Sequence, residues 1–416
     1  MKQGKTALLF SAVKNATPFI FKENLAEMTE LAVAANLHPI EKMSQNLKSI
    51  DPAYLIGVGK RKELESVVRS LSVDYVIFDR HLSGVQARNL QKELKVEVLD
   101  RTQLILEIFG QRAQSHEGKL QVELAQLMDQ MPRMVGAWLG SLSRQGGSRG
   151  PGEKALETDR RQARLRIKRV KEKLEKVRRS RTQHRSVRLR NKTTSFALIG
   201  YTNSGKSTLL NVLTKSNVAT KNQAFMTLDP KTRKVFIPGV DNAVMTDTVG
   251  FIRDLPPHLI SAFKATLEES ATASVILHIV DASSPHRSKN IKVVDDLIEE
   301  FGWSKKPILY VFNKTDLISE TEVVPPSHCQ HRISISARTH YNIDKLLLKM
   351  KNILEDLNES VELYFPKDKE YEIYKLSRET QITKRETGSQ GTVCYVEMPS
   401  HQLSQWKKYK ITSNNP

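Results

Sequence analysis

The chain has 416 residues, 39% hydrophobic and 27% charged, a composition of multidomain globular proteins that excludes a disordered or collagen-like chain. A formal charge of +19 favours a polyanionic partner such as nucleic acid, while 6% aromatic residues leave little material for broad base-stacking surfaces. Cys329 and Cys394 lack metal-ligand spacing, and no apolar run is long enough to span a membrane; both point to a reducing, cytoplasmic setting without a membrane span.

The apolar run Ala7–Val13 reads as a strand rather than a signal peptide. Helical spacing follows at Glu23–Asn36 and Glu63–Leu71, then a strand at Tyr75–Phe78, a helix at Leu82–Leu94, a strand at Val96–Leu99 and a helix at Leu104–Arg112. This alternation predicts a small α/β domain with a parallel sheet over residues 1–115.

A helical hairpin is expected over 116–193. Leu120, Leu124, Leu127 and Met131 form one narrow stripe, and Ala163, Ile167, Val170, Leu174 and Val177 form another. Between them, 140–152 carries five glycines, Pro151 and two arginines, Arg144 and Arg149, as a functional tip loop would. The window Arg160–Lys192 holds 16 Lys/Arg against two acids, so +14 of the +19 lies in one stretch. Arg144, Arg149, Arg160, Arg161 and Arg164 are the candidates for contact with RNA phosphates.

Phe196–Ile199 is a buried-type strand leading into Gly200-Tyr201-Thr202-Asn203-Ser204-Gly205-Lys206-Ser207 and a helical run. This is the P-loop pattern in its strand–loop–helix context. Backbone amides and the helix N-terminus cradle phosphates, Lys206 is expected on the β- and γ-phosphates, and Ser207 on Mg²⁺. Asp247-Thr248-Val249-Gly250 ends another strand; Asp247 is expected toward Mg²⁺ and the Gly250 amide toward the γ-phosphate. Between these motifs, Phe225-Met226-Thr227-Leu228-Asp229 is a candidate switch loop with Thr227 as a second Mg²⁺ hydroxyl.

Base choice rests on Asn313-Lys314-Thr315-Asp316, after the strand Ile308–Phe312. A carboxylate at Asp316 accepts from guanine N1 and the 2-amino group, donors that adenine lacks in that arrangement. Asn313 braces the loop, the Lys314 stem lies over the ring, and the backbone of Ser336-Ala337-Arg338 meets O6. The ligand is therefore GTP or GDP with Mg²⁺, and an ATP-dependent kinase is disfavoured. Phe251 follows Gly250 where many small GTPases carry a water-positioning Gln, so hydrolysis is expected to be slow without a partner. Asn203 stands where some such GTPases bind K⁺; with Lys206, Thr227 and Gly250 it completes the candidate catalytic set.

These residues together resemble the HflX family of translation-factor-related GTPases. The resemblance rests on GYTNSGKSTLLN from Gly200, FMTLDPKTR over Phe225–Arg233, DTVGFIRDLP over Asp247–Pro256 and ATLEE over Ala265–Glu269. It extends to Leu99–Arg112, Glu117–Leu127 and Ser143–Arg161, and so covers most of 50–300. One departure is Lys154-Ala155, where the family usually has Thr-Gln. The resemblance implies binding to the large (50S) ribosomal subunit and its rRNA, with the hairpin tip near the peptidyl transferase centre. It also implies separation of stalled or stress-damaged 70S ribosomes into subunits. An alternative is an rRNA-binding assembly or anti-association factor that uses GTP as a clamp without obligatory hydrolysis.

The expected fold class is thus multidomain α/β. A small α/β domain spans 1–115 and a basic hairpin 116–193; a P-loop GTPase domain with a doubly wound sheet spans 194–357, and a small α+β domain 358–416. A monomer is expected, and no DNA partner.

Overall fold

The computed structural model describes residues 4–142, 151–190, 193–214, 231–240, 242–248, 250–251, 256, 259, 262, 273–318, 325–380, 382–399, 403 and 405–411. Side chains are described throughout except at 134–142, 151–156, 178, 180–190, 231, 379 and 399. The chain forms two compact units: Met1–Val235 with Asn242–Tyr341, and Phe236–Asp241 with Asn342–Pro416.

The first unit opens on β1 (Thr6–Lys14), whose continuous burial over Ala7–Ala12 marks a strand covered on both faces. Helix α1 (Pro18–Ala34) begins with proline, preset for a helix start, and buries Met28, Leu31 and Ala32. Then comes β2 (His38–Leu47), a strand not anticipated from the sequence. Only Met43 and Leu47 are buried in it, because it sits at the sheet edge, paired to β1 alone. Helix α2 (Val58–Leu71), β3 (Tyr75–Phe78), α3 (Gly84–Leu94), β4 (Glu97–Asp100) and α4 (Arg101–Arg112) complete a parallel sheet of order β2-β1-β3-β4. Reciprocal capping boxes, Ser83 with Gln86 and Asp100 with Gln103, fix the starts of α3 and α4.

The hairpin is α5 (His116–Leu142) and α6 (Pro151–Arg190). Both helices run further than the glycine content implies: 140–142 and 151–152 are helical, and Arg144 and Arg149 lie outside the described residues. Leu120, Leu124 and Val170 are buried, with Leu127, Ile167 and Leu174 packed around them. All share one core with Leu31 of α1 and Ile105 and Phe109 of α4. The two stripes therefore cover each other and the N-terminal α/β layer at once, which a solvent-bridging hairpin would not do.

A polar clamp secures the junction. Arg133 on α5 donates to Asp100 at 2.6 Å and to Asp129 at 2.9 Å, and His81 stands 3.1 Å from the same Asp100 carboxylate. Burial alone raises the Asp100 pKa, but His81, Arg133 and the amides of Leu82 and Gln103 outweigh it and hold the carboxyl below its ordinary range. His81, isolated in sequence, is part of this network. A β-carbon at Gly84 would collide with the Arg133 backbone, so α3 and α5 meet where only glycine fits.

The sheet that follows contains β5 (Thr194–Ile199), β6 (Lys231–Lys234), β7 (Ala243–Asp247), β8 (Val275–Asp281), β9 (Ile308–Asn313) and β10 (His331–Ser334) in the order β10-β9-β8-β5-β7-β6. Only β6 is antiparallel to its neighbour. Helices α7 (Lys206–Leu213) and α8 (Arg287–Glu300) connect strands of this sheet. The chain departs in both directions from central β5, which opens a crevice beyond its carboxyl end.

The second unit contains α9 (Ile343–Glu355), β11 (Asn358–Pro366), α10 (Tyr371–Glu379), β12 (Ile382–Thr387) and β13 (Gly391–Pro399), with an antiparallel sheet of order β11-β13-β12. Helix α9 groups with this unit, so the division by contacts falls at Tyr341, not at residue 357. Alternate residues of β11, Val361, Leu363 and Phe365, enter a core with Ile373, Leu376, Trp406 and Tyr409. Among the described residues no helix is long and apolar enough to cross a membrane.

Candidate nucleotide-binding site

The loop joining β5 to α7 holds a conformation that its sequence alone makes accessible. Gly200 and Gly205 have φ of 151° and 94°, and Asn203 has φ of 60°. A β-carbon at Gly200 would strike the Ile279 carbonyl, and one at Gly205 the Asn313 amide. The loop is thus an open backbone cradle at the amino end of α7, the arrangement that binds phosphate.

Lys206 lies inside this cradle, donating to the carbonyls of Gly200 at 2.9 Å and Tyr201 at 2.8 Å. Burial pulls its pKa down to about 8, although Asp247 opposes the shift. Ser207 donates to Asp247 Oδ2 at 2.7 Å, so a hydroxyl from the first turn of α7 and a carboxylate from the end of β7 meet beside the lysine. Such hard oxygen donors suit Mg²⁺. Thr248 is turned inward and donates to the Leu198 carbonyl at 2.7 Å.

Gly250 packs directly on the loop: a β-carbon there would stand 3.0 Å from Thr202 Cγ2 and 3.1 Å from Lys206 Nζ. The next residue is bound by its backbone. Phe251 N–H donates to the Gly200 carbonyl at 3.0 Å, and Thr202 N–H donates to the Phe251 carbonyl at 2.7 Å. The Phe251 ring is buried among Ile199, Ile276, Val294 and Trp303. It turns away from the phosphate cradle and serves as core.

Asn313 ties the phosphate loop to the base loops. Its amide donates to the Ser204 carbonyl at 2.9 Å, and its carbonyl oxygen accepts from the Ala337 N–H at 3.0 Å. Lys314 takes a left-handed backbone, and its ammonium meets Asp281 at 2.7 Å. Thr315 Oγ1 donates to the Ile335 carbonyl at 2.9 Å. Ser336 donates to Asp316 Oδ1 at 2.6 Å, orienting that carboxylate, while Arg338 is exposed.

Gly200–Ser207, Asp247, Thr248, Gly250, Asn313–Asp316 and Ser336–Arg338 are therefore assembled around one crevice. Phe225–Asp229, including Thr227, and Val249 lie outside the described residues. On α6, Arg161 and Arg164 are exposed and Arg160 is half-buried.

Two features escaped the sequence reading. Asp281 braces Lys314; its only signal was an acidic residue ending the apolar β8. Tyr201 reaches out of the phosphate loop, and its hydroxyl donates to Glu27 of α1 at 2.8 Å. Glu27 also accepts two bonds from Arg101, at 2.8 and 3.1 Å. A cavity of about 400 Å³ lies beside this contact, lined by Glu27, Glu30, Thr202, Asn203 and Asp281. Burial raises the Glu30 pKa.

Comparison with known proteins gives three consecutive family matches: a GTP-binding GTPase N-terminal region over 22–110, its middle region over 112–188, and a 50S ribosome-binding GTPase domain over 195–314. The GTPase HflX of Caldanaerobacter subterraneus subsp. tengcongensis is 43% identical over 373 residues, 89% of this chain and 86% of that protein. The GTPase HflX of Escherichia coli is 41% identical over 329 residues, covering 78% and 77%. A crystal structure of SsGBP in complex with GDP is 26% identical with a TM-score of 0.50, covering 85% of this chain and 99% of that one.

Proposed function

Because the chain belongs to the HflX family of GTPases, we propose that it hydrolyses GTP under control of the large ribosomal subunit and separates stalled or stress-damaged 70S ribosomes. The observation that carries the GTP reading is Asn313, whose one side chain locks the phosphate loop and the base loop together.

In this reading the loop amides of Gly200–Ser207 hold the α- and β-phosphates, and Lys206 neutralises the β- and γ-phosphates. Ser207, Asp247 and Thr227 would hold Mg²⁺, which would offset the negative charge of the triphosphate. The Gly250 amide senses the γ-phosphate. Asp316, aimed by Ser336, accepts from guanine N1 and N2, and the Ser336–Arg338 backbone meets O6. Water attacks the γ-phosphorus, giving GDP and phosphate. The Phe251 side chain offers no hydrogen bond to that water, so the missing group would come from the ribosome, and Asn203 would hold a K⁺ that supplies an assisting charge.

Coupling to the hairpin is supported by packing. Leu259 and Ala262, just downstream of the Gly250 motif, are buried in the core that seats α5 and α6. A shift of that segment with γ-phosphate loss reaches the hairpin base. Arg144, Arg149, Arg160, Arg161 and Arg164 then supply phosphate contacts to rRNA.

Sedimentation of 70S ribosomes with the protein and GTP, GDP or a non-hydrolysable analogue tests this reading. Splitting with GTP or the analogue but not GDP is expected; unchanged 70S peaks in all three would remove it. Deleting 144–150 is expected to abolish splitting while leaving GTP affinity intact. Single-turnover hydrolysis with and without large subunits separates the clamp alternative, which the buried Phe251 favours and which requires no stimulation. Equal rates in K⁺ and Na⁺ would eliminate the cation role.

A further inference from the structure

In the pattern G-x-x-x-x-G-K-S, phosphate chemistry fixes the glycines, the lysine and the serine. The residue after the first glycine lends only its backbone, and its side chain can serve another task. Here that residue is Tyr201, and its backbone sits at the centre of the cradle. Its carbonyl accepts from Lys206 Nζ at 2.8 Å and from the Ser204 N–H at 3.3 Å. It also bridges in parallel to Phe251, one residue past Gly250. The side chain leaves the crevice. Its ring packs against the core shared by the N-terminal layer and the hairpin, and its hydroxyl donates to Glu27 Oε1 at 2.8 Å.

Helix α1 presents that acceptor in a fixed place. Met28, Leu31 and Ala32 bind the helix to its own layer. Phe19, Glu23 and Glu27, four residues apart, form a second stripe that faces the nucleotide domain. The Phe19 ring centre is 5.7 Å from that of His286, and Glu23 stands 3.1 Å from His286 and 3.9 Å from Lys289, at the start of α8. Glu27 is held from behind. The buried Arg101 donates to both of its oxygens, at 2.8 and 3.1 Å. Arg101 opens α4, and the cap of that helix is Asp100, the buried carboxylate that accepts from Arg133. A carboxylate gripped at both oxygens by a buried guanidinium keeps one orientation, and the hydroxyl bound to it makes a charge-assisted bond.

We propose that Glu27 is a positioning residue for GTP hydrolysis: it holds Tyr201, and through the Tyr201 backbone it sets the place of Lys206 and of the Gly250–Phe251 segment. The proposal rests on the GTPase reading and adds to its machinery a residue of the N-terminal domain. Without that hold, the carbonyl that steers Lys206 shifts, and the ammonium is misplaced from the oxygens where charge builds in the transition state. A tie that only joined the domains would alter unfolding and leave the rate of bound GTP as it was.

The test is single-turnover hydrolysis by the full chain at saturating GTP, with and without large subunits, beside GDP affinity and denaturant unfolding. Tyr201→Phe removes one oxygen and keeps the ring in its core. It is expected to slow hydrolysis about tenfold, against the roughly hundredfold that a misplacement of about 1 Å can cost, with GDP affinity within about threefold of the parent. Glu27→Ala is expected to match it. Glu27→Gln keeps an oxygen acceptor for the hydroxyl and is expected to stay within about threefold of the parent rate. The double variant, Tyr201→Phe with Glu27→Ala, is expected to be no slower than either alone, because the two side chains act as one unit. A Tyr201→Phe variant within about twofold of an active parent would overturn the proposal, as would losses that multiply in the double variant. If Glu27→Ala does not fold, Tyr201→Phe decides alone. A parent inactive with and without subunits would remove the hydrolysis reading itself, an outcome distinct from an active parent matched by its Tyr201→Phe variant.

Discussion

In the proposed function the nucleotide crevice and the basic hairpin both take phosphate, by opposite means. In the crevice, few groups act and each is held by a specific hydrogen bond, buried at Asn313 and part-buried at the others: Asn313 spans two loops, Asp281 pins Lys314, and Ser336 aims Asp316. Along α6 the cations are many; among the described side chains Arg161 and Arg164 are exposed, while Arg166 pairs with Glu123 at 2.7 Å. The first arrangement concentrates free energy in a few preorganised positions, where one lost group costs much. The second spreads it over many equivalent charges screened by salt. The hairpin is nevertheless not loose at its base, where Arg133 and Gly84 clamp it to the N-terminal domain.

That contrast can be broken at its strongest point first. Lys206→Ala is expected to lower single-turnover GTP hydrolysis by about 100- to 1000-fold, the scale for removing one preorganised charge-stabilising donor. A loss below tenfold would mean the crevice is as redundant as the hairpin. Arg133→Ala should be the most damaging hairpin change, because it removes the guanidinium from the buried Asp100 and Asp129 carboxylates and leaves Asp100 to His81 and two backbone amides; a stability loss of about 3–5 kcal/mol in denaturant unfolding is expected. A change under 1 kcal/mol would show that the clamp is dispensable.

Proton linkage sharpens the comparison further. Without nucleotide, Lys206 titrates at about 8 because it is buried. Phosphates placed on it raise that value, so binding takes up a proton above pH 8. GTP affinity is therefore expected to be full below about pH 8 and to fall as pH rises past it, by at most about tenfold per pH unit. Calorimetry in buffers of different ionisation enthalpy reads the proton directly. The smallest effects belong to the hairpin. Arg160→Ala, Arg161→Ala and Arg164→Ala are each expected to reduce the log–log salt slope of subunit binding by about 0.7 to 0.9, with little change in GTP affinity. A salt slope unchanged in the triple variant would remove these arginines from the RNA contact.

Legibility followed the same division. Motifs whose chemistry demands fixed residue types are local in sequence, as Gly200–Ser207 and Asn313–Asp316 are, and Asn313 joins the two loops in space. β1 and β3 were readable because strands buried on both faces are continuously apolar. β2 was not, because an edge strand needs one paired neighbour and few buried side chains, and HPIEKMSQNL offers no such run. The extent of α5 and α6 was also hidden, since glycines at 140 and 152 suggested a loop where helix continues.

By itself, then, the sequence determined the nucleotide chemistry, the central α/β pattern and the concentration of positive charge, since each depends on residue identity over short spans. Only the tertiary structure decided what joins them. Tyr201 meets Glu27 across 174 residues, Arg133 meets Asp100 across 33, and Phe251 turns into the core while its backbone closes on the phosphate loop. Such contacts depend on how separate elements pack, and a side chain's partner across that distance leaves no periodicity to read.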